Sequence, residues 1–154
     1  MNEDFLELLS AFLAAEVRFL VIGAYAVGVH GRPRATKDID IWIEASTDNA
    51  VRVIAALRDF GAPMGDLVAS DFEVPGTGFK MGIPPRRIDV LTKIEGITFE
   101  QAWPNRQDAA FSADIRCPVI GFRDLLTNKR AAGRPQELAD VPALEAIERA
   151  RTSG

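Results

Sequence analysis

Two aspartates, Asp38 and Asp40, stand two residues apart where polar and apolar residues alternate, in the segment Asp-Ile-Asp-Ile-Trp-Ile-Glu at 38–44. A period of two predicts a β-strand, in which alternate side chains project to one face. Both carboxylates therefore share a face, while Ile39, Ile41 and Ile43 point towards the core. Two carboxylates so placed repel each other, and a cation between them relieves that repulsion.

A third acid, Asp89, interrupts the apolar strand pattern between Ile88 and Val90. An acid buried there without a partner is costly, and coordination of a hard cation by three such acids explains their placement. One cysteine and one histidine make a Cys/His zinc site very unfavourable, which leaves Mg²⁺ or Mn²⁺. On the acids alone another interpretation stays open, in which they pair with arginines or lie in solvent at strand ends.

A glycine turn precedes these acids. Residues 21–26 (Val-Ile-Gly-Ala-Tyr-Ala) indicate a strand, a turn at Gly23 and the start of a helix, and Asp38 follows Gly23 by fifteen residues. Backbone N–H groups at such a helix start, here those of Gly23 and Ala24, can face a phosphate. A glycine turn is a weak signal alone, but its combination with Asp-x-Asp indicates a nucleotide-handling site.

Hydrophobic periodicity and turn residues predict the elements that position these groups. Helices are expected over 3–15, 24–30, from 46–48 to about 60, 121–132 and 136–151, with helical turns near 66–70 and 99–103. Strands are expected over 17–22, 38–44, 78–83, 87–92 and 114–120. Pro118 places the last strand at a sheet edge. We therefore expect one α/β (α+β) domain over 1–154, a small mixed β-sheet flanked by helices, with C-terminal helices from about 121.

The composition is that of an ordinary soluble globular protein, with 47% hydrophobic and 26% charged residues in 154. The absence of an apolar run near ~20 residues argues against a membrane span, and the acidic start Met-Asn-Glu-Asp against a secretory signal. A single cysteine, Cys117, fits a reducing cytoplasm. The net charge of −4 does not favour nucleic-acid binding by the whole molecule. Three local basic clusters lie beside the candidate segments: Arg32, Arg34 and Lys37; Arg86 and Arg87; Lys129, Arg130 and Arg134.

These residues resemble the nucleotidyltransferase superfamily that includes DNA polymerase beta. Its pattern is a strand, Gly-Gly or Gly-Ser opening a helix, Asp-x-Asp or Asp-x-Glu on the next strand, and a later third acid. Here the pattern is matched by Gly23-Ala24, Asp38-Ile39-Asp40 and Asp89. The wider string at 22–41 is similar to small bacterial nucleotidyltransferase-like proteins, some of which are toxins of toxin–antitoxin and abortive-infection systems. The similarity spans about 17–145 and includes 125–129 and 133–140, which look like the C-terminal helices of that group.

The resemblance implies a nucleotidyltransferase fold and the metal-dependent transfer of a nucleoside monophosphate from an NTP, such as ATP, to a hydroxyl. Asp38 and Asp40 would hold two ions of Mg²⁺ or Mn²⁺, and Asp89 would complete the shell of the ion that activates the acceptor. Lys129 would reach the nucleotide. Three residues before the strand are candidates for contact with the triphosphate, with solvation in a loop as the alternative: Arg34, Thr36 and Lys37.

For several other residues, we expect a structural role rather than a functional one. His30 is expected to cap or pack a helix end, and Arg134 to pair with Glu137 or Asp140. Cys117 is expected to be structural. The aromatic residues Tyr25, Trp42 and Trp103 could stack on a base; for Trp42, core packing or the floor of a pocket is also expected.

Ala24 departs from the family pattern, because alanine offers no hydroxyl to a phosphate. The alternative function is therefore an inert nucleotide- or partner-binding member of the fold, such as a toxin–antitoxin component. A metal-dependent phosphohydrolase would need the same acids. The acceptor is a small molecule, a protein or an RNA, bound in a shallow cleft, through the loop at 61–78, or across a homodimer.

Overall fold

The computed structural model describes residues 1–32, 36–76, 78–82 and 86–153. The helices are α1 (Glu3–Ala14), α2 (Gly23–Val29), α3 (Thr47–Phe60), α4 (Phe99–Ala102), α5 (Phe122–Ala132) and α6 (Pro135–Ser153). Two short 3₁₀ helices cover Ala69–Phe72 and Trp103–Asn105. The strands are β1 (Phe19–Ile22), β2 (Asp38–Ile43), β3 (Gly78–Met81), β4 (Arg87–Leu91), β5 (Gln107–Ala110) and β6 (Arg116–Val119).

The six strands form one mixed sheet in the order β3-β4-β2-β1-β6-β5. β2 runs parallel to β4 and antiparallel to β1, while β1 runs parallel to β6. Helices flank this sheet, so the predicted small mixed sheet with flanking helices is confirmed.

The two faces of β2 differ as its alternating pattern predicts. Ile39, Ile41 and Ile43 are fully buried. Ile43 stands opposite Phe19 in the register, and the Phe19 ring packs edge-on against Phe12 of α1, with centroids 5.5 Å apart. Helix α1 therefore covers the isoleucine face, and the opposite face is left to Asp38, Asp40 and Trp42.

The prediction for the last strand was wrong in one respect. β6 carries Pro118 but is not an edge strand, because β5, which the sequence did not predict, pairs antiparallel with its outer side. Proline is tolerated because β6 pairs with β1 over a very short stretch. The described pairing consists of Val119 opposite Val21, and the Ile120 N–H then donates to the Val21 carbonyl. The N–H that Pro118 lacks would point to the β1 side, where the pairing is only beginning.

The C-terminal helices α5 and α6 pack against each other after a left-handed turn at Gly133. Within the described ranges, no helix is long and apolar enough to cross a membrane.

Candidate metal and nucleotide site

Asp40 and Asp89 are direct neighbours across two parallel strands. The register of β2 with β4 sets Asp40 opposite Asp89 and Asp38 opposite Arg87. Paired strands lie about 4.8 Å apart, and residues in register share a face. The two carboxylates are therefore side by side, both only partly exposed.

The electrostatic state of this pair is unfavourable without a counter-charge. Burial raises the pKa of Asp40 to about 7, helped by the charge of Asp89, a hydrogen bond with Asp89 and the charges of Asp38 and Glu137. Asp89 Oδ1 is buried and has no hydrogen-bond partner among the residues that the structure describes. A buried oxygen with no donor beside a second carboxylate suits a hard cation.

Asp38 stands at the start of β2 and is partly engaged elsewhere. Its Oδ1 accepts a hydrogen bond from the Arg87 backbone N–H at 3.2 Å. Accordingly, in residues 1–32, 36–76, 78–82 and 86–153, no group of three or more His, Cys, Asp or Glu side chains is arranged to hold a metal. The residues present still fit Mg²⁺ or Mn²⁺, because such ions commonly take one or two protein carboxylates and complete their shell with phosphate and water.

Gly23 lies directly against Asp40. β1 ends at Ile22, opposite Asp40 in the register, and Gly23 then turns the chain into α2 with φ +68°. A Cβ at residue 23 would collide with Asp40 Oδ2 and would lie 3.1 Å from its Cγ. Glycine is therefore required both by the left-handed backbone and by the close carboxylate. The predicted turn at Gly23-Ala24 therefore starts α2 beside Asp40, and none of the described side chains caps this helix.

The segment before β2 contributes local contacts. The Thr36 hydroxyl accepts from the Asp38 N–H at 3.3 Å and donates to the Asp38 carbonyl at 3.2 Å. Lys37 is exposed, and its carbonyl accepts from the Arg87 N–H. Arg34, the third residue predicted there to meet the triphosphate, lies outside the described residues.

Lys129 belongs to an ion cluster between α5 and α6. Its Nζ, almost fully buried, lies 2.7 Å from Glu137 Oε2 and 3.2 Å from Asp140 Oδ2. Arg32 reaches Asp140 Oδ1 at 3.3 Å, and Arg134 pairs with Glu137 at 3.2 Å, as predicted for Arg134. Burial alone would raise the pKa of Glu137, but bonds to and charges of Lys129 and Arg134 outweigh it and lower that pKa.

This cluster also acts on the carboxylate pair through its charge, because the charge of Glu137 contributes to the raised pKa of Asp40. The resemblance implies that Lys129 reaches the nucleotide, whereas its two carboxylate partners were not predicted from the sequence. The sequence feature that could have predicted these partners is the pair of acids Glu137 and Asp140, which follow the Gly133 turn at the start of the next helix.

His30 is a packing residue at the end of α2, as expected. Its buried Nε2 donates to the Ile120 carbonyl at 2.7 Å, and its ring meets Phe122 edge-on. Burial lowers the pKa of His30, opposed by the bond to Ile120 and assisted by the charge of Arg151. The ring is therefore neutral at neutral pH and tied to the backbone.

The three candidate aromatic residues pack against other rings. Tyr25 meets Phe5 and Phe111 edge-on, and Trp103 stacks on Phe99 with centroids 5.5 Å apart. Trp42 is buried against Phe99 and also lines a cavity. Cys117 is buried, and burial raises the pKa of its thiol to about 12, which suits a structural role.

Comparisons with known proteins find similarity in structure only. No family model and no curated protein matches this sequence. The crystal structure of the lincosamide antibiotic adenylyltransferase LnuA, bound to lincomycin, matches with a TM-score of 0.56 at 14% identity, over 96% of this chain and 98% of that one. A Thermotoga maritima protein provisionally described as a nucleotidyltransferase matches with a TM-score of 0.54 at 13% identity, over 97% of this chain and 91% of that one. With its six-stranded mixed sheet and flanking helices, this chain has the nucleotidyltransferase fold.

Proposed function

We propose that this protein is a metal-dependent nucleotidyltransferase that moves a nucleoside monophosphate from an NTP to a hydroxyl acceptor. The observation that carries the proposal is the registered pair of Asp40 and Asp89, with the buried Asp89 Oδ1 lacking a partner among the described residues. The fold supports it, since one structure similar to this chain is an adenylyltransferase.

In this proposal Asp40 and Asp89 hold Mg²⁺ or Mn²⁺, and the second carboxylate oxygen of Asp38, Oδ2, joins them when the triphosphate arrives. The bound ion supplies positive charge to the attacking oxygen and to the departing pyrophosphate. Gly23 leaves room for the Asp40 carboxylate, and the N–H groups of Gly23 and Ala24 face the phosphates.

The reaction forms a bond between the acceptor oxygen and the α-phosphorus and breaks the bond from that phosphorus to pyrophosphate. We assign acceptance of the hydroxyl proton to Asp89. We further propose that Thr36, Lys37, Arg34 and Lys129 assist nucleotide binding. For Lys129 this requires that the arriving phosphates compete with Glu137 and Asp140.

A second candidate function is a nucleotide- or partner-binding protein without turnover, as in a toxin–antitoxin pair. The bond from Arg87 to Asp38 Oδ1 favours it, because that bond keeps one of the three acids from the metal position. Ala24 favours it as well.

Incubation with each α-labelled NTP and Mg²⁺ or Mn²⁺ tests the proposal. The acceptors offered are a cytoplasmic small-molecule extract, total RNA and the protein itself, and the readouts are pyrophosphate release and label transfer. Asp40→Asn should lose at least about 100-fold in rate, which corresponds to ~3 kcal/mol of lost stabilisation. Asp108→Asn, which changes an exposed acid on the edge strand β5, should keep the wild-type rate.

The remaining outcomes of this assay would point to a different function. Equal rates for wild type and Asp40→Asn would contradict catalysis at this pair. Label found only as free nucleoside monophosphate identifies water as the nucleophile and a phosphohydrolase. Saturable NTP binding with no product identifies the inert member of the fold.

A further inference from the structure

A partly open cavity of about 440 Å³ lies at the C-terminal ends of β2 and β4. Its wall is mainly apolar and aromatic, with Trp42, Ile94, Ile97 and Phe99 among the lining residues. This volume falls in the range of about 300–1,000 Å³ that is usual for small-molecule sites.

Trp42, one of the lining residues, has a buried donor that lacks a partner among the described residues. Trp42 is 1% exposed, and its Nε1 makes no hydrogen bond with any residue that the structure describes. A buried N–H without an acceptor costs roughly 1–3 kcal/mol.

Residues that line the cavity lie a few positions along β2 and β4 from the proposed reaction centre. Trp42 follows Asp40 by two residues on β2 and shares its face, so the two positions are about 7 Å apart along the strand. Thr92 and Lys93, which also line the cavity, follow directly after β4, the strand that carries Asp89. A molecule held here can therefore extend towards the phosphates bound at Asp40 and Asp89.

The exposed residues at the rim of the cavity indicate which class of ligand it would bind. Lys93 and Glu100 line the cavity and are exposed, and their opposite charges cancel. A nucleic acid is disfavoured, because it requires a basic track for its phosphates. A mainly apolar wall with a few polar side chains, such as Thr98 and Gln101, suits a small molecule that has a ring or a short hydrocarbon part and a few polar atoms.

We propose that this cavity is the acceptor subsite and that the acceptor is an uncharged, ring-bearing small-molecule alcohol that packs against Trp42. The acceptor role of this ligand rests on the proposed nucleotidyl transfer, whereas the binding of a small molecule in the cavity is independent of it. Pro75 lines the cavity, so the loop at 61–78, one of the expected acceptor-binding segments, contributes to it.

Titration of the ¹⁵N-labelled protein with 2-(2-naphthyl)ethanol, without NTP or metal, tests the binding. The protein has two tryptophans, so the Trp103→Phe variant assigns the two indole N–H signals. The Trp42 signal should shift saturably with a Kd below about 1 mM, equivalent to about 4 kcal/mol.

Ala45→Phe and Ile97→Phe add bulk at two lining positions and should each weaken this binding by at least about tenfold, or about 1.4 kcal/mol. Val51→Phe is the matched control, because Val51 is 58% exposed on α3 and does not line the cavity. An otherwise unchanged amide spectrum identifies a folded variant. The absence of a Trp42 shift in wild type, or a shift that neither blocking variant weakens, would overturn the proposal.

The same alcohol offered with labelled NTP and Mn²⁺ separates the two proposals. Transfer to it in wild type that Ala45→Phe abolishes supports both. Transfer to other acceptors without a Trp42 shift leaves the nucleotidyltransferase standing and overturns this subsite. A Trp42 shift without transfer to any acceptor overturns the acceptor role together with the proposed function and leaves a small-molecule site.

Discussion

At the scale of single residues, the site depends on how closely Gly23, Asp40 and Asp89 approach one another. The Asp40 carboxylate lies next to that of Asp89, which is in register with it on β4. It also lies so close to residue 23 that only glycine, which has no side chain, fits there. Such an arrangement destabilises the metal-free protein at neutral pH, and a bound cation would compensate.

Gly23→Ala tests the close approach. The left-handed backbone should cost roughly 1–2 kcal/mol of unfolding free energy, and the new methyl group should displace the Asp40 carboxylate and abolish transfer. Gly61→Ala is the matched control, since Gly61 has φ +87° and nothing within 4 Å of an added Cβ. Urea unfolding should show similar losses for both variants, while the transfer assay should fail only for Gly23→Ala. Normal transfer by Gly23→Ala would contradict this role.

The metal-free pair should make stability depend on pH. The pKa of Asp40 is raised from 3.8 to about 7 in the folded protein, which therefore binds more protons than the unfolded chain between these values. The associated stability is present below the unfolded pKa and is lost as pH rises through the folded one. In EDTA, we expect wild type to lose unfolding free energy over this window and Asp89→Asn, which lacks the neighbouring charge, to lose less.

Mn²⁺ should reverse this loss in wild type. The ion should raise the melting temperature more at about pH 8 than at about pH 5, because it competes with the proton at Asp40. An equal increase at both pH values, or an equal increase in Asp89→Asn, would place the ion elsewhere.

His30→Phe tests whether the one histidine has only a packing role. The change leaves the buried Ile120 carbonyl without its donor and should cost about 1–3 kcal/mol of unfolding free energy. The pH profile of transfer should keep its shape, because the neutral, buried ring does not titrate with the reaction. Loss of a limb of that profile in a stable variant would assign His30 a catalytic role instead.

At the scale of elements, the Asp-x-Asp strand and the strand of Asp89, expected over 87–92, were both predictable from local sequence pattern, whereas their parallel pairing is not a local property. Alternation at 38–44 predicts both the strand and the face of its acids, and β2 (Asp38–Ile43) confirms it. The approach of Asp89 depends on β4 pairing in parallel with β2, and this strand order is a property of the whole sheet. β5 was missed since Gln-Asp-Ala-Ala has no β-branched or aromatic residue, and its strand exists through pairing with β6.

The ion cluster of Lys129, Glu137 and Asp140 joins two elements, the helices α5 and α6. Lys129→Met leaves Glu137 and the fully buried Asp140 without the Lys129 charge and should cost roughly 3–5 kcal/mol of unfolding free energy. Arg130→Met is the control on the same helix, because its pair with Glu145 is exposed and should be worth below about 1 kcal/mol. Chemical denaturation of the two variants provides the comparison. A cost of Lys129→Met no larger than that of Arg130→Met would contradict a structural role.

At the scale of the whole molecule, the sheet brings three separated sequence segments to one place. The end of β1 and the middles of β2 and β4 meet at Gly23, Asp40 and Asp89. The motif residues were predictable because each has a local signature. The cavity at Trp42 was not, because its wall combines the end of β2 with residues 92–101, whose sequence has no sustained period.

The central claim is that Asp40 and Asp89 bind the divalent cation of nucleotidyl transfer. A crystal structure with Mn²⁺ and a non-hydrolysable NTP analogue tests it most directly, through the anomalous signal of the metal. We predict a peak at about 2.1–2.2 Å from a carboxylate oxygen of Asp40 and one of Asp89, with phosphate oxygens completing the shell. A nucleotide bound with its Mn²⁺ away from both carboxylates would contradict the claim.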